Sequence, residues 1–150
     1  MTIIRRCTVA ELEAAPNLAE VLAAYEVESR MKELGPATPQ IATYRALEAS
    51  GMFHPIGAFD GDRLLGFILP IVVVLPHYGV VAATVESFFV LVPERKRGIG
   101  LQLLKFAETT ARELGAKALL LSAPVSGALT RVLAAKAYRH SNDVYVKALA

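Results

Sequence analysis

Residues 85–104 of the chain read VESFFVLVPERKRGIGLQLL, and they pass from an apolar strand through a basic turn into an amphipathic helix. The first N–H groups of a helix have no partner within it, so a junction of this kind is typical of an anion site. The stretch therefore predicts a strand, loop and helix that bind a phosphate or a pyrophosphate. The helix stops at Gly115 and keeps its apolar residues on one side: Leu103, Leu104, Ala107, Ala111 and Leu114.

The basic turn supplies two kinds of residue that such a ligand needs. Arg95, Lys96 and Arg97 add positive charge, and Gly98 and Gly100 let a phosphate approach the backbone without a Cβ in the way. An exposed basic loop whose glycines serve only the turn is the alternative explanation. A Walker A loop is disfavoured because no lysine follows the second glycine, and a dinucleotide fingerprint because a leucine stands where its third small residue belongs.

Around this junction the chain alternates short strands and helices. A capping-box spacing after Thr8 starts a helical region that Pro16 interrupts and that a second capping-box spacing at Asn17 continues, and the next helix is expected from Thr38. Asp60-Gly61-Asp62 forms a hairpin turn. Pro70 lies within the strand after this turn and requires an edge position or a bulge there. Strands are expected at residues 3–8, 53–59, 64–75, 80–92, 118–122 and 144–149, and the last helix at 126–137. The order βααβββαβαβ predicts an α+β sheet with helices on its faces.

The composition indicates one domain spanning residues 1–150, because 54% hydrophobic and 20% charged residues suffice for a large core. The longest apolar run, residues 64–75, is too short to cross a bilayer, so no membrane partner is expected. Cys7 is the only cysteine, which excludes a disulfide within the chain and a cysteine-based metal cluster. No other ligand spacing indicates a metal, and no signal peptide pattern is present. We therefore expect a cytoplasmic protein without a metal.

Charge is distributed unevenly along the chain. Residues 1–92 contain six Lys and Arg against ten Asp and Glu, whereas residues 93–150 contain ten against four. The imbalance favours a polyanionic ligand for the second part, although a chance unevenness of surface charge explains it as well. A nucleic-acid partner is not expected, because no aromatic residues are interleaved with Arg95, Lys96 and Arg97.

The basic turn resembles a known family. Arg95-x-x-Gly98-x-Gly100, after a long strand and before Leu103-Leu104 on a helix, is similar to the acyl-CoA pyrophosphate loop of the GNAT superfamily of acetyltransferases. The similarity in the order of elements covers essentially the whole chain and implies a mixed, mostly antiparallel central sheet with helices on both faces. Residues 85–89 and Ser122-Ala123-Pro124 resemble phage-encoded members in particular.

The resemblance implies an N-acetyltransferase in which a primary amine attacks the thioester of acetyl-CoA directly, in a ternary complex. The acidic first part of the chain suits a cationic acceptor, a small molecule or a protein amine. The implied cofactor-binding residues are the backbone of Val90, Leu91 and Val92 for the pantetheine arm, and Arg95, Lys96, Arg97, Gly98, Ile99 and Gly100 for the pyrophosphate.

The last third departs from the family pattern of an Asn, a Tyr seven residues later and then Gly-Phe. Counted back from Tyr138 as the terminal aromatic, these positions hold Ser126, Leu133 and Ala137. Ser126 is carried over as a cofactor-binding position, and Tyr138 is the catalytic candidate in place of the missing Tyr, with His140 and Tyr145 as alternatives. A CoA-binding regulatory or interaction module without catalysis, and a homodimer, stay open.

Glu86 is the second catalytic candidate. A carboxylate within an otherwise apolar strand is costly unless it is paired or faces a cleft. The strand period of two places it on the same face as Val90, and the resemblance implies a carboxylate base here, acting directly or through water. An ion-paired or exposed strand residue is the alternative.

Overall fold

The computed structural model describes residues 1–149, in which five strands form one curved sheet in the order β1-β2-β3-β4-β5. The first four strands pair antiparallel with one another, and β4 pairs with β5 in parallel. The predicted mixed, mostly antiparallel sheet is confirmed. The strands are β1 Thr2–Arg6, β2 Ile56–Asp60, β3 Arg63–Leu75, β4 Val80–Val90 and β5 Leu119–Leu120.

Helices cover both faces of the sheet, as predicted. Phe67 and Phe89 lie in a core cluster with the first three helices, whereas their neighbours Ile68 and Val90 pack with the last two. This division follows from the period of two in β3 and β4, which sends successive apolar side chains to opposite faces. The helices are α1 Val9–Glu13, α2 Leu18–Ser29, α3 Ile41–Ala49, α4 Ile99–Glu113 and α5 Ala128–Ala135, with a 3₁₀ turn at Val92–Arg97. None of these helices is long and apolar enough to cross a membrane.

Two predicted helix starts had different outcomes. The capping box of α1 is confirmed: Thr8 Oγ1 accepts from the Glu11 N–H at 3.1 Å, and Glu11 Oε2 accepts from the Thr8 N–H at 2.8 Å. Asn17 is the N-cap residue of α2, but its side chain makes no capping hydrogen bond. Its side-chain amide instead bonds both backbone groups of Leu64, at 2.8 and 2.9 Å, and so joins α2 to the start of β3.

Pro70 produces the predicted bulge. Across β3 and β4 Leu69 pairs with Ser87 and Pro70 with Val85, which leaves Glu86 as an extra residue on β4. Proline has no N–H to donate to the ladder, so regular pairing cannot continue through this point.

Several predicted boundaries were wrong, and one element is absent. Helix α3 starts at Ile41 rather than after Thr38, and the strand expected at residues 80–92 ends at Val90, where the 3₁₀ turn takes over. The strand expected at 144–149 does not form in the described part of the chain. Its side chains are exposed, 89% for Tyr145, because β5 is only two residues long and offers few backbone groups for a further strand to pair with.

Candidate active site

The sheet opens between β4 and β5. Their pairing consists of Ala83 with Leu119 and Thr84 with Leu120, and within residues 1–149 no strand continues along β4 beyond it. The Leu91 N–H donates to Leu65 O on β3, so the backbone groups of Val90 face the opposite, open side. An extended ligand can therefore add to β4 along residues 85–90.

Arg95 occupies part of this open edge. Its Nε donates to Val90 O at 2.8 Å, its Nη2 lies 2.7 Å from both carboxylate oxygens of Glu28, and its Cζ lies 5.4 Å from the centroid of the Phe89 ring. Glu28 belongs to α2. Arg95 therefore joins the basic turn to the helix on the far side of the sheet.

The other two basic side chains of the turn differ in their partners. Arg97 is paired with Glu94 at 2.6 Å and donates to Thr2 Oγ1 at 3.2 Å. Lys96 is exposed, and in the described residues no carboxylate pairs with it. Lys96 is thus the side chain of this turn whose charge is left for a ligand.

The two glycines of the turn have different roles. Gly98 caps α4 in the left-handed region at φ 75°, which side-chain-bearing residues adopt only with strain. Gly100 has no such requirement, and a Cβ there would lie 3.8 Å from both Phe88 Cζ and Val90 Cγ2, an ordinary contact. The fold therefore requires Gly98, whereas it tolerates a small side chain at position 100.

Some residues predicted to bind the cofactor are already engaged. The Leu91 N–H donates to Leu65 O and its carbonyl accepts from the Glu94 N–H, so both backbone groups have partners within the fold and do not favour the predicted pairing with a pantetheine arm. Ile99 buries its side chain and can contribute only its backbone N–H. Val92 is exposed in the 3₁₀ turn, and Ser126 is exposed before α5 at φ 58°. Their predicted roles stay predictions.

Glu86 does not share a face with Val90, contrary to expectation. Val90 lies in one core cluster with the buried residues of α4, whereas Glu86 reaches the hydroxyl of Tyr44 on α3, on the other face. The cause is the bulge, which inserts Glu86 as the extra residue and interrupts the alternation of faces. The carboxylate is therefore turned toward α2 and α3.

Tyr44 is a site residue that the sequence pattern did not indicate. Its hydroxyl lies 3.1 Å from both Oε1 and Oε2 of Glu86. Burial raises the pKa of Tyr44 above its ordinary value, and the negative charge of Glu86 raises it further. Tyr44 therefore keeps its proton and acts as a donor to the carboxylate. A tyrosine on a predicted helix carries no signal for this pairing, because the contact depends on how α3 lies against β4.

Glu86 and Tyr44 line an open cleft of about 700 Å³ between β4, α2 and the segment before α3. The remaining lining residues are Leu22, Ala23, Tyr25, Glu26, Val27, Ser29, Ala37, Thr38, Pro39 and Ser87. Across residues 1–149 no three His, Cys, Asp or Glu side chains come together as a metal site. The cleft thus places a carboxylate beside the open edge of β4.

Tyr138 does not line this cleft. Its hydroxyl donates to Glu108 Oε1 on α4 at 2.6 Å, and its ring packs against the core cluster that contains the buried residues of α4. Burial raises the pKa of Tyr138, and the hydrogen bond to Glu108 adds to the effect. The alternatives lie at the surface, since Tyr145 is exposed and the side chain of His140, 2.9 Å from Asp143, is 80% exposed. A catalytic role for Tyr138 stays a prediction that this placement does not favour.

Solved structures of similar fold cover nearly the whole chain. A ribosomal-protein-alanine N-acetyltransferase from Brucella melitensis biovar Abortus 2308 aligns with a TM-score of 0.75 and 22% identity, over 98% of this chain and 97% of that one. An aminoglycoside acetyltransferase from an uncultured soil metagenomic sample, in complex with sisomicin, gives 0.71 and 16%, over 97% and 93%. Glucosamine-6-phosphate N-acetyltransferase from Arabidopsis thaliana gives 0.72 and 10%, over 98% and 97%.

The sequence itself identifies the family. Comparison with curated proteins finds no match. The model of the acetyltransferase (GNAT) family, however, matches residues 16–139, which is most of the chain and includes both the cleft residues and the basic turn. The chain therefore belongs to the GNAT family of acetyltransferases.

Proposed function

We propose that this enzyme transfers the acetyl group of acetyl-CoA directly to a primary amine bound in the cleft, with Glu86 as the proton acceptor. The observation that carries the proposal is the bulge in β4. It turns the only carboxylate of that strand into the cleft, next to the strand edge that β5 leaves open. A base and a place for an extended thioester therefore lie side by side.

The need for a base follows from the acceptor. An alkyl ammonium with a pKa of about 10.4 is protonated at pH 7, and reaching the free amine without help costs about 4–5 kcal/mol. Glu86 takes this proton directly or through a water, after which the nitrogen lone pair is available for attack. Tyr44, which donates to both carboxylate oxygens, holds the group in one orientation.

The chain's residues fit the co-substrate that the family generally uses. Acetyl-CoA supplies a thioester whose C–S bond breaks as the N–C bond to the amine forms, and the sulfur leaves as a thiolate that takes up a proton. The Val90 N–H offers a backbone donor on the open edge of β4. The N–H groups of Ile99 and Gly100 start α4 and suit a pyrophosphate, and Lys96 adds a free positive charge.

The proposal is tested by release of CoA thiol from acetyl-CoA over a panel of amines, with calorimetry of CoA binding in parallel. We expect binding of CoA and amine-dependent thiol release, with the acetylated amine identified by mass. A chain that binds CoA without releasing thiol with any amine would be the non-catalytic module and would overturn the proposal.

A further inference from the structure

The charges around the cleft limit which amines it accepts. We infer that the acceptor is a small primary amine that carries no carboxylate or phosphate group, an inference that rests on the proposed function. None of the twelve lining residues is Lys, Arg or His, and two of them are glutamates. An anionic group on the acceptor would therefore meet no lysine, arginine or histidine among the lining residues and would lie beside negative charge.

The arginines on the adjoining segments do not supply the missing cation. Arg30, just after α2, donates from Nε and Nη2 to the two carboxylate oxygens of Glu26, at 3.0 and 2.6 Å. Arg95 is bound to Glu28 and to the Val90 carbonyl. Each guanidinium is thus neutralised by a glutamate of α2, and an acceptor carboxylate would have to displace that glutamate.

Glu86 is the lining carboxylate left for an ammonium ion, because its partner Tyr44 is neutral. Two tyrosine rings, Tyr25 and Tyr44, form part of the wall, and the ring faces of tyrosine attract cations. Leu22, Ala23 and Pro39 add apolar surface. These features suit a single cationic head on an uncharged body, in a cleft of the size that small ligands use.

Matched pairs of compounds test this inference. Each pair differs only by the anionic group: tyramine and tyrosine, phenethylamine and phenylalanine, histamine and histidine, glucosamine and glucosamine 6-phosphate. Dissociation constants in the presence of CoA, and kcat/KM for thiol release, are measured for all eight. We expect the member without the anionic group to be favoured at least tenfold in at least one pair, and the anionic member to be favoured in none.

A pair of variants adds a gain-of-function test. Thr38→Arg places a guanidinium in the cleft wall and should reduce the preference at least threefold. Thr109→Arg, the same change on exposed α4, is the control and should leave it unaltered. Equal or tighter binding of the anionic members, or no binding by either member of any pair, would overturn the inference. Preferential binding of the members without the anionic group, with no thiol release, would support the inference and refute the proposed catalysis instead.

Discussion

The hydroxyl of Tyr44 on α3 lies 3.1 Å from each carboxylate oxygen of Glu86 at the bulge of β4. This contact joins α3 to β4, between residues that are 42 positions apart in the sequence. It fixes the orientation of the carboxylate. Because the hydroxyl is equidistant from the two carboxylate oxygens, each oxygen keeps a second lone pair directed elsewhere. Glu86 can therefore accept a proton while it stays bound to Tyr44.

We expect Tyr44→Phe to lower kcat by about three- to tenfold, because the loss of one hydrogen bond to a charged group frees Glu86 to rotate. Acetyl-CoA affinity should not change. The decisive readout is a double-mutant cycle. If Tyr44 acts through Glu86, Tyr44→Phe combined with Glu86→Gln is no slower than Glu86→Gln alone, whereas independent roles would make the two losses multiply.

Substitutions at the two glycines of the basic turn should affect stability and acetyl-CoA binding separately. Gly100→Ala meets only ordinary contacts with Phe88 and Val90, so we expect an unchanged Tm together with acetyl-CoA binding weakened at least fivefold. Gly98→Ala forces a side chain to φ 75° and should cost about 1 kcal/mol or more of stability. Calorimetry and thermal melts measure both effects. An unaltered affinity of Gly100→Ala for acetyl-CoA would show that the pyrophosphate does not bind at this turn.

Cys7 should report unfolding through its thiol. Burial raises the pKa of the Cys7 thiol to about 12, with the charge of Glu11 adding to the effect. The thiolate therefore forms only in the unfolded chain between its ordinary pKa of 9.0 and about 12, and stability falls with rising pH across that window by up to about 1.4 kcal/mol per unit.

The comparison that isolates this effect is urea unfolding of the wild type and Cys7→Ala at pH 8 and pH 10. The wild type should lose more stability than the variant over this interval, and iodoacetamide should label it slowly at pH 8 until urea unfolds it. Fast labelling of the folded protein would show that Cys7 is accessible.

Tyr138→Phe tests whether Tyr138 stabilises the fold or donates a proton in catalysis. Because the Tyr138 proton is engaged by Glu108, we expect a stability loss of about 1 kcal/mol and a kcat within about threefold of the wild type. A tenfold or larger fall in kcat at unchanged Tm would instead support the catalytic role that the sequence suggested.

Much of the fold was predictable because its signals are local. The Asp60-Gly61-Asp62 turn, the Thr8 capping box and the junction at Gly98 each depend on a few neighbouring residues, and all three are present. The absence of the strand expected at residues 144–149 could not be predicted from local signals. A strand needs a partner edge, and β5 is too short to provide one.

The candidate site was predictable only in part. Glu86 stood out as a charge in an apolar strand, but its face did not follow from the period of two, since Pro70 on the neighbouring strand introduces a bulge opposite it. Tyr44 carried no signal at all, because its role arises from the packing of α3. Leu91 illustrates the converse: it lies in the expected stretch, yet its backbone groups are used within the fold.

The most direct test of Glu86 as the proton acceptor is the pH dependence of kcat for Glu86→Gln, with an amine that the wild type acetylates. The variant keeps the shape of the side chain and removes its basicity. We predict a kcat lower by about 10²-fold or more, a changed low-pH limb of the profile and an unchanged dissociation constant for acetyl-CoA. Full kcat with the same pH profile would contradict a role for Glu86 as the base and leave it as a structural partner of Tyr44.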